Sequence, residues 1–213
     1  MAQRLLLATT NPAKAALLRR LCDGTGFALA DASETAPPAV AETANSHLAI
    51  AVQKAAAWSR ARGCLAVASD GGIAIPALEA VAPRAWESRL TKRATGEEGV
   101  SDLQRAQRLL RLARDLRGAQ RAASRVEAVA VARGGALLGA WQAAGFQGTL
   151  AEDAQPPRCG TNGAWVESVL LAPDGRRYWQ LTSDDLAAYD EPWQTLAAPV
   201  RALLLRLAEA GER

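Results

Sequence analysis

Short apolar runs along the chain alternate with longer segments whose apolar positions recur every three or four residues, which predicts strands mixed with helices. Residues 4–8 are an apolar run of strand length. Thr9-Thr10-Asn11-Pro12 breaks it. Asparagine is a good helix N-cap and proline suits the first helical position. Residues 13–22 follow with Leu17, Leu18 and Leu21 on one face, so the chain opens strand–loop–helix. Residues 27–30 predict a second strand, 31–40 a loop with two prolines, and 44–62 a long helix. Residues 64–68 predict a buried strand ending in Ser69-Asp70-Gly71-Gly72, with 73–76 continuing as a short strand. Residues 81–100 are irregular and charged, as a surface excursion would be. Ser101 caps a helix predicted to run to Leu116.

The second half is richer in strands. Residues 125–133 and 135–141 predict a hairpin turning at Gly134-Gly135, and 148–153 continue the sheet. Residues 166–172 predict a strand, Pro173-Asp174-Gly175 a turn, and 177–181 the partner strand. Residues 196–209 close the chain as an amphipathic helix, kinked or begun at Pro199. Helices and strands are interspersed and hairpins occur, so the class is α/β or α+β with a mixed sheet.

Composition narrows the class. The 213 residues suit one domain, or one domain with two lobes, and 49% are hydrophobic, enough for a sizeable core. No apolar run approaches the roughly 20 residues of a membrane helix. The opening residues 1–7 read as a strand and not as a signal peptide. A cytoplasmic protein without a membrane partner is expected. The net charge of +3, with no basic stretch interleaved with aromatics, gives no case for nucleic acid. Cys22, Cys64 and Cys159 lack metal-ligand spacing and suit free thiols in a reducing compartment. The lone histidine, His47, excludes a multi-histidine metal site. Lysine occurs only at Lys14, Lys54 and Lys92 among 25 basic residues, so the position of each lysine carries weight.

Three segments carry candidate chemistry. In Thr9-Thr10-Asn11-Pro12-Ala13-Lys14 a strand feeds a polar turn and then a helix N-terminus, where free N–H groups and the helix dipole attract anions. Thr9, Thr10 and Asn11 add side-chain donors and Lys14 a charge. The Gly-rich Walker signature is absent, and an ordinary capped helix has the same local pattern. Glu42 is followed twelve residues later by Lys54; alone, these read as a solvated carboxylate and a snorkelling helix residue. Asp70, followed by Gly71 and Gly72 after an apolar strand, sits where α/β sheets place ligands. Glu42 and Asp70 are the two oxygen donors that Mg²⁺ usually takes from a protein when phosphates supply the rest. Asp70 is also a candidate to orient or deprotonate an attacking water.

Together these segments resemble the ITPase-like nucleoside triphosphate pyrophosphatases. That family opens with T-x-N-x-x-K, matched by Thr9, Asn11 and Lys14. It continues with E-T-G and a lysine twelve residues after the glutamate, matched by Glu42-Thr43-Ala44 and Lys54. Its A-D-D-S-G-L matches Ala68-Ser69-Asp70-Gly71-Gly72-Ile73. Ala82-Pro83, Ser88-Arg89, Gly99 with Asp102, Leu109 and Leu110, and residues 121–132 fit later family segments more loosely. Residues 160–173 align without gaps to its G-T-G-G-F-G-Y-D-P-I-F-F-V-P. The resemblance implies an α/β fold over residues 1–213 as a single domain: an elongated mixed sheet flanked by helices in two lobes, with a central cleft. It implies a homodimer, a nucleotide substrate, Mg²⁺ as cofactor, and hydrolysis of a nucleoside triphosphate to monophosphate and pyrophosphate. By carry-over, Asp70 is the catalytic base and a metal ligand, and Glu42 the second metal ligand. Thr9, Thr10, Asn11, Lys14, Lys54 and Gly71 contact the phosphates.

The chain departs from the family pattern mainly where that pattern reads the base. The family's F-G-Y-D is Ala164-Trp165-Val166-Glu167, its later substrate lysine is Leu186, and its S-H-R is Asp190-Glu191-Pro192. Ser69 replaces the first of the paired aspartates, Leu17 a helix glutamate and Ile50 a helix asparagine. A 6-keto oxygen needs donors, whereas Glu167 and Glu191 are acceptors when ionised. Glu167, Glu191, Trp165 and Trp193 are therefore candidate base-binding residues, in a pocket retuned away from inosine and xanthosine triphosphates; core tryptophans and solvated glutamates are the alternative. A relative that binds a nucleotide without hydrolysing it, or serves as a structural partner, is a second reading. Retention of Glu42 and Asp70 together with Lys14 and Lys54 favours the enzyme.

Overall fold

The structure is a computed structural model that describes residues 3–32, 36–40, 42, 44–82, 101–155, 165–189 and 191–211. The expectations for 83–100 and 156–164, and those for Thr43 and Asp190, lie outside the described residues. Six strands form one sheet in the order β2-β1-β3-β4-β5-β6. They are β1 (Arg4–Leu7), β2 (Ala28–Asp31), β3 (Leu65–Ala74), β4 (Ala122–Arg133), β5 (Ala136–Leu150) and β6 (Leu170–Leu171). β1 runs parallel to β2 and β3, and β5 antiparallel to β6, so the sheet is mixed and the class α/β. The helices are α1 (Pro12–Cys22), α2 (His47–Arg62), α3 (Pro76–Glu79), α4 (Asp102–Leu112), α5 (Ser183–Ala188) and α6 (Pro192–Gly211). No described helix is long and apolar enough to cross a membrane.

The chain divides into two compact units, with boundaries inside β3 and β4, within β5, and just before α6. Unit 1 comprises Met1–Gly71, Glu127–Ala143 and Pro192–Arg213; unit 2 comprises Gly72–Val126 and Ala144–Glu191.

In unit 1, strand alternation sorts the core into two layers. Leu5, Leu7, Leu65, Val67, Val129 and Val131 pack with Leu18 and Leu21 of α1 and with Leu196, Val200 and Leu204 of α6. Leu6, Ala66, Ala68, Ala128, Ala130 and Ala132 pack instead with Ala51, Ala55 and Trp58 of α2. One layer is thus branched and bulky, and the other is largely alanine, which lets α2 lie close to the sheet. Each fully buried Leu or Val is worth about 1.5–3 kcal/mol. In unit 2, Ile73, Ile75, Leu78, Leu109, Leu150, Val169, Leu170 and Tyr178 form a separate core.

Local signals explain most boundaries. Asn11 caps α1 as expected. α2 begins at His47, three residues later than predicted, because the Ser46 hydroxyl accepts from Ala49 N at 3.2 Å and fixes the start there. Gly63 ends it in the left-handed region at φ 60°. Ser101 and Gln104 form a capping box on α4, which stops at Leu112 rather than Leu116. Gly134 and Gly135, both at positive φ, make the expected β4–β5 turn.

Other expectations are corrected. The strand expected to end at Ser69-Asp70-Gly71-Gly72 and the short one expected over 73–76 are one strand, β3, which stops at Ala74 because Pro76 opens α3. β5 is one strand of 15 residues, where the sequence suggested two. The strand predicted over 166–172 is a 3₁₀ turn at Trp165–Ser168 followed by the two-residue β6. There the Ser168 hydroxyl donates to Trp165 O at 2.6 Å, a local bond that competes with the ladder. The predicted partner strand at 177–181 is reduced to a single bridge, Leu171 to Arg177, and a 3₁₀ turn. α3 and α5 were not anticipated, and α6 starts at Pro192 with Pro199 inside it.

Candidate active site

The candidate phosphate and metal residues all lie in unit 1. Asp70 continues the 66–68–70 alternation of β3 and so lies on the face covered by α2. Helix α2 delivers two side chains to it from one face, seven residues apart. Lys54 Nζ donates to Asp70 Oδ1 at 2.7 Å, and His47 Nδ1 lies 2.7 Å from Asp70 Oδ2. Against an ionised carboxylate that nitrogen carries the hydrogen. Glu42 Oε1 lies 3.6 Å from the same Lys54 Nζ. Two carboxylates therefore converge on one ammonium. Burial would raise the Asp70 pKa, but the His47 hydrogen bond and the charges of Lys14, Lys54 and His47 outweigh it and hold the carboxyl well below the ordinary range.

Glu42 has φ 40°, in the left-handed region that a residue with a side chain enters only at a cost of order 1–2 kcal/mol. Such strain at a charged residue facing Lys54 fits a position held for function.

The polar turn after β1 is built as a cap. Asn11 Oδ1 accepts from Ala13 N at 2.9 Å and Lys14 N at 3.3 Å, and Thr9 Oγ1 accepts from Asn11 N at 3.2 Å. The Asn11 cap thus engages two of the amides expected to cradle an anion. Lys14 projects from the first turn of α1, with Nζ 3.9 Å from Glu127 Oε2 of β4. Gly71 lies beside the same carboxylate.

The candidate base residues are divided. Trp193 packs in the bulky core of unit 1, and Trp165 in the core of unit 2. Glu167 and Glu191, both in unit 2, converge on Arg125 of β4, at 3.9 and 3.6 Å. Tyr178 Oη donates to Glu191 Oε1 at 2.9 Å and accepts from Arg125 Nη1 at 2.6 Å. The Arg125 guanidinium also lies 4.9 Å from the Tyr178 ring centre. Glu191 is 6% exposed, and Glu167 is the more accessible of the two carboxylates.

Sequence reasoning missed four of these residues. His47 was used only to exclude a metal site, although its spacing from Lys54 places both on one helical face. Glu127 was readable as a charge within an otherwise apolar strand. Arg125 and Tyr178 gave no comparable signal, because their meeting depends on chain folding over 53 residues.

The family model described as the Ham1 family matches residues 5–186. A dITP/XTP pyrophosphatase of Anaeromyxobacter sp. (strain Fw109-5) is 30% identical over 97% of this chain and 99% of its own length. A second protein of that name, from Symbiobacterium thermophilum, is 29% identical over 97% of the chain and 98% of its length. Among solved structures, a HAM1 protein from Coxiella burnetii superposes with a TM-score of 0.72 at 22% identity, covering 94% of this chain and 98% of that one. This last likeness bears on the fold alone.

Proposed function

The chain belongs to the Ham1 family, the ITPase-like enzymes its motifs resemble, and we propose that it hydrolyses a nucleoside triphosphate to the monophosphate and pyrophosphate with a divalent cation, Mg²⁺ by its oxygen donors. The observation that carries the proposal is the convergence of Glu42 and Asp70 on the Lys54 ammonium. Two carboxylates that share one cation offer oxygens to a common space, and Mg²⁺ characteristically takes one or two protein carboxylates with phosphate oxygens and water.

In this mechanism Glu42 and Asp70 would hold the cation, which when bound would neutralise charge on the phosphates. Lys54 and Lys14 bind phosphate oxygens, aided by Thr9, Thr10, Asn11 and the backbone at Gly71. As Lys54 turns to the substrate, Asp70 Oδ1 loses a donor and its basicity rises. Asp70 then orients a water and takes its proton, while His47 keeps Oδ2 fixed. Glu167 and Glu191 are the proposed base-reading residues; as acceptors when ionised they disfavour a 6-keto oxygen and favour a donor edge such as an exocyclic amine. The proposed working form is a homodimer, which sedimentation would test, in the cytoplasm.

The test is pyrophosphate release from the common and deaminated nucleoside triphosphates, with and without Mg²⁺ and with Asp70→Asn as control. Release from a subset, abolished by chelation and by the substitution, is expected. No release from any nucleotide by folded protein overturns the activity. Turnover of inosine or xanthosine triphosphates at least as efficient as that of any other nucleotide overturns the altered base preference.

A further inference from the structure

Glu127 is 3% exposed, on the face of β4 that it shares with Val129 and Val131. A carboxylate in such a layer is costly unless compensated. The α1 side of β3 carries Ser69 and Gly71, by the alternation that places Leu65 and Val67 there. A Cβ added to Gly71 would lie 2.1 Å from Glu127 Oε2, 2.6 Å from Oε1 and 2.3 Å from Cδ. The whole carboxyl group lies across the space of the missing side chain, so this placement of Glu127 excludes any larger residue at 71. Lys14 reaches the same carboxylate at 3.9 Å from α1.

We infer that Glu127 is a positioning residue for Lys14, and that position 71 is glycine to admit the Glu127 carboxylate. A lysine ammonium on its four-carbon stem loses much rotamer freedom when it is fixed on a ligand. The Glu127 carboxylate, 3.9 Å from the Lys14 ammonium, holds that charge in place before a polyphosphate binds. The catalytic consequence rests on the pyrophosphatase reading; the positioning itself does not.

The experiment separates the two. Inorganic tripolyphosphate with Mg²⁺ is titrated calorimetrically into wild type, Glu127→Gln, Lys14→Ala and the double variant, and pyrophosphate release is followed in parallel. Glu127→Gln is expected to weaken tripolyphosphate binding about tenfold, the scale of one oriented charge-assisted contact. It should raise KM more than it lowers kcat. In the Lys14→Ala background the same change should add less than about twofold, because its target is gone. Gly71→Ser should displace the carboxylate and weaken binding at least as much, and Glu127→Ala should relieve that defect. Equal or tighter binding by Glu127→Gln, an undiminished loss with Lys14→Ala present, or a wild type that does not bind tripolyphosphate overturns the inference. Coupled binding without hydrolysis of any nucleotide would overturn the activity and leave the positioning role standing.

Discussion

The lysine–carboxylate pairs of unit 1 and the arginine–tyrosine–glutamate cluster of unit 2 are both partly buried assemblies of charge, yet their cations differ. In unit 1, Lys54 and Lys14 each present a compact ammonium on a flexible stem to carboxylates at 2.7–3.9 Å. In unit 2 a planar guanidinium is held by Glu167, Glu191 and the Tyr178 hydroxyl, with its carbon 4.9 Å from the phenol ring centre. An ammonium can rotate from one anion to another, whereas a guanidinium bound to several groups at once loses several contacts together. The difference teaches that proximity of opposite charges does not itself separate function from structure. The unit 1 pairs are suited to exchange a carboxylate for a phosphate. The unit 2 cluster is suited to hold its two carboxylates in fixed positions.

The largest effect that would sharpen this contrast is on activity. Asp70→Asn should lower kcat at least about 100-fold, the scale of a lost general base, with the protein still folded and its melting temperature lowered only in part. Similar loss of activity and of fold would break the contrast. The next effect is on stability. Arg125→Leu should cost about 3–5 kcal/mol in denaturant unfolding, because it removes the guanidinium that lies 3.6 Å from the buried Glu191 carboxylate. A cost near zero would show that the cluster is not a structural lock. Smaller again, His47→Phe keeps a ring in the buried position but removes the hydrogen bond to Asp70. It should lower kcat about tenfold with KM little changed, as measured by pyrophosphate release.

The parts of the molecule set by nearest neighbours were legible in the sequence. Asn11 before Pro12, Ser101 three residues before Gln104, and Gly134-Gly135 each act through hydrogen bonds or dihedrals within a few residues. Asp70 was legible as an acid in the run of β3, although β3 was expected to stop there. What failed depends on partners distant in the chain. Residues 142–147, weak in strand pattern, are held in β5 by its neighbours in the sheet. At 166–172 an apolar run favoured a strand, but Ser168 closed a local turn and the Arg177 side chain bound Ser168 O at 2.8 Å. For the site, the lysine and acid positions could be read from spacing. The Glu127 carboxylate against Gly71 could not, since nothing local shows that two strands place them side by side.

The smallest predicted effect concerns pH, and it takes one group from each unit. Burial pushes the Cys22 thiol up from 9.0 to about 12, with Arg201 opposing only in part. Burial likewise raises the Tyr178 hydroxyl above its ordinary 10, with the nearby Glu191 charge and hydrogen bond adding to the rise against Arg125. Both groups are neutral when protonated, and the folded state keeps that proton more tightly than the unfolded chain. Their contribution is therefore fully present below pH 9 and is lost as pH rises toward the folded-state values. For Cys22 alone the decline cannot exceed about 1.4 kcal/mol per pH unit. Denaturant melts between pH 8 and 11 should show stability falling above pH 9. Cys22→Ala should flatten the first part of that limb, and Tyr178→Phe the part above pH 10. In Tyr178→Phe the loss of the bond to Glu191 should also lower the plateau at pH 8, by about 1–3 kcal/mol. Cys22→Ala has no hydrogen-bonded partner of that kind to strand, so a matching drop of the plateau there would mean that the two units respond to buried polar loss in the same way, and the distinction between them would fail.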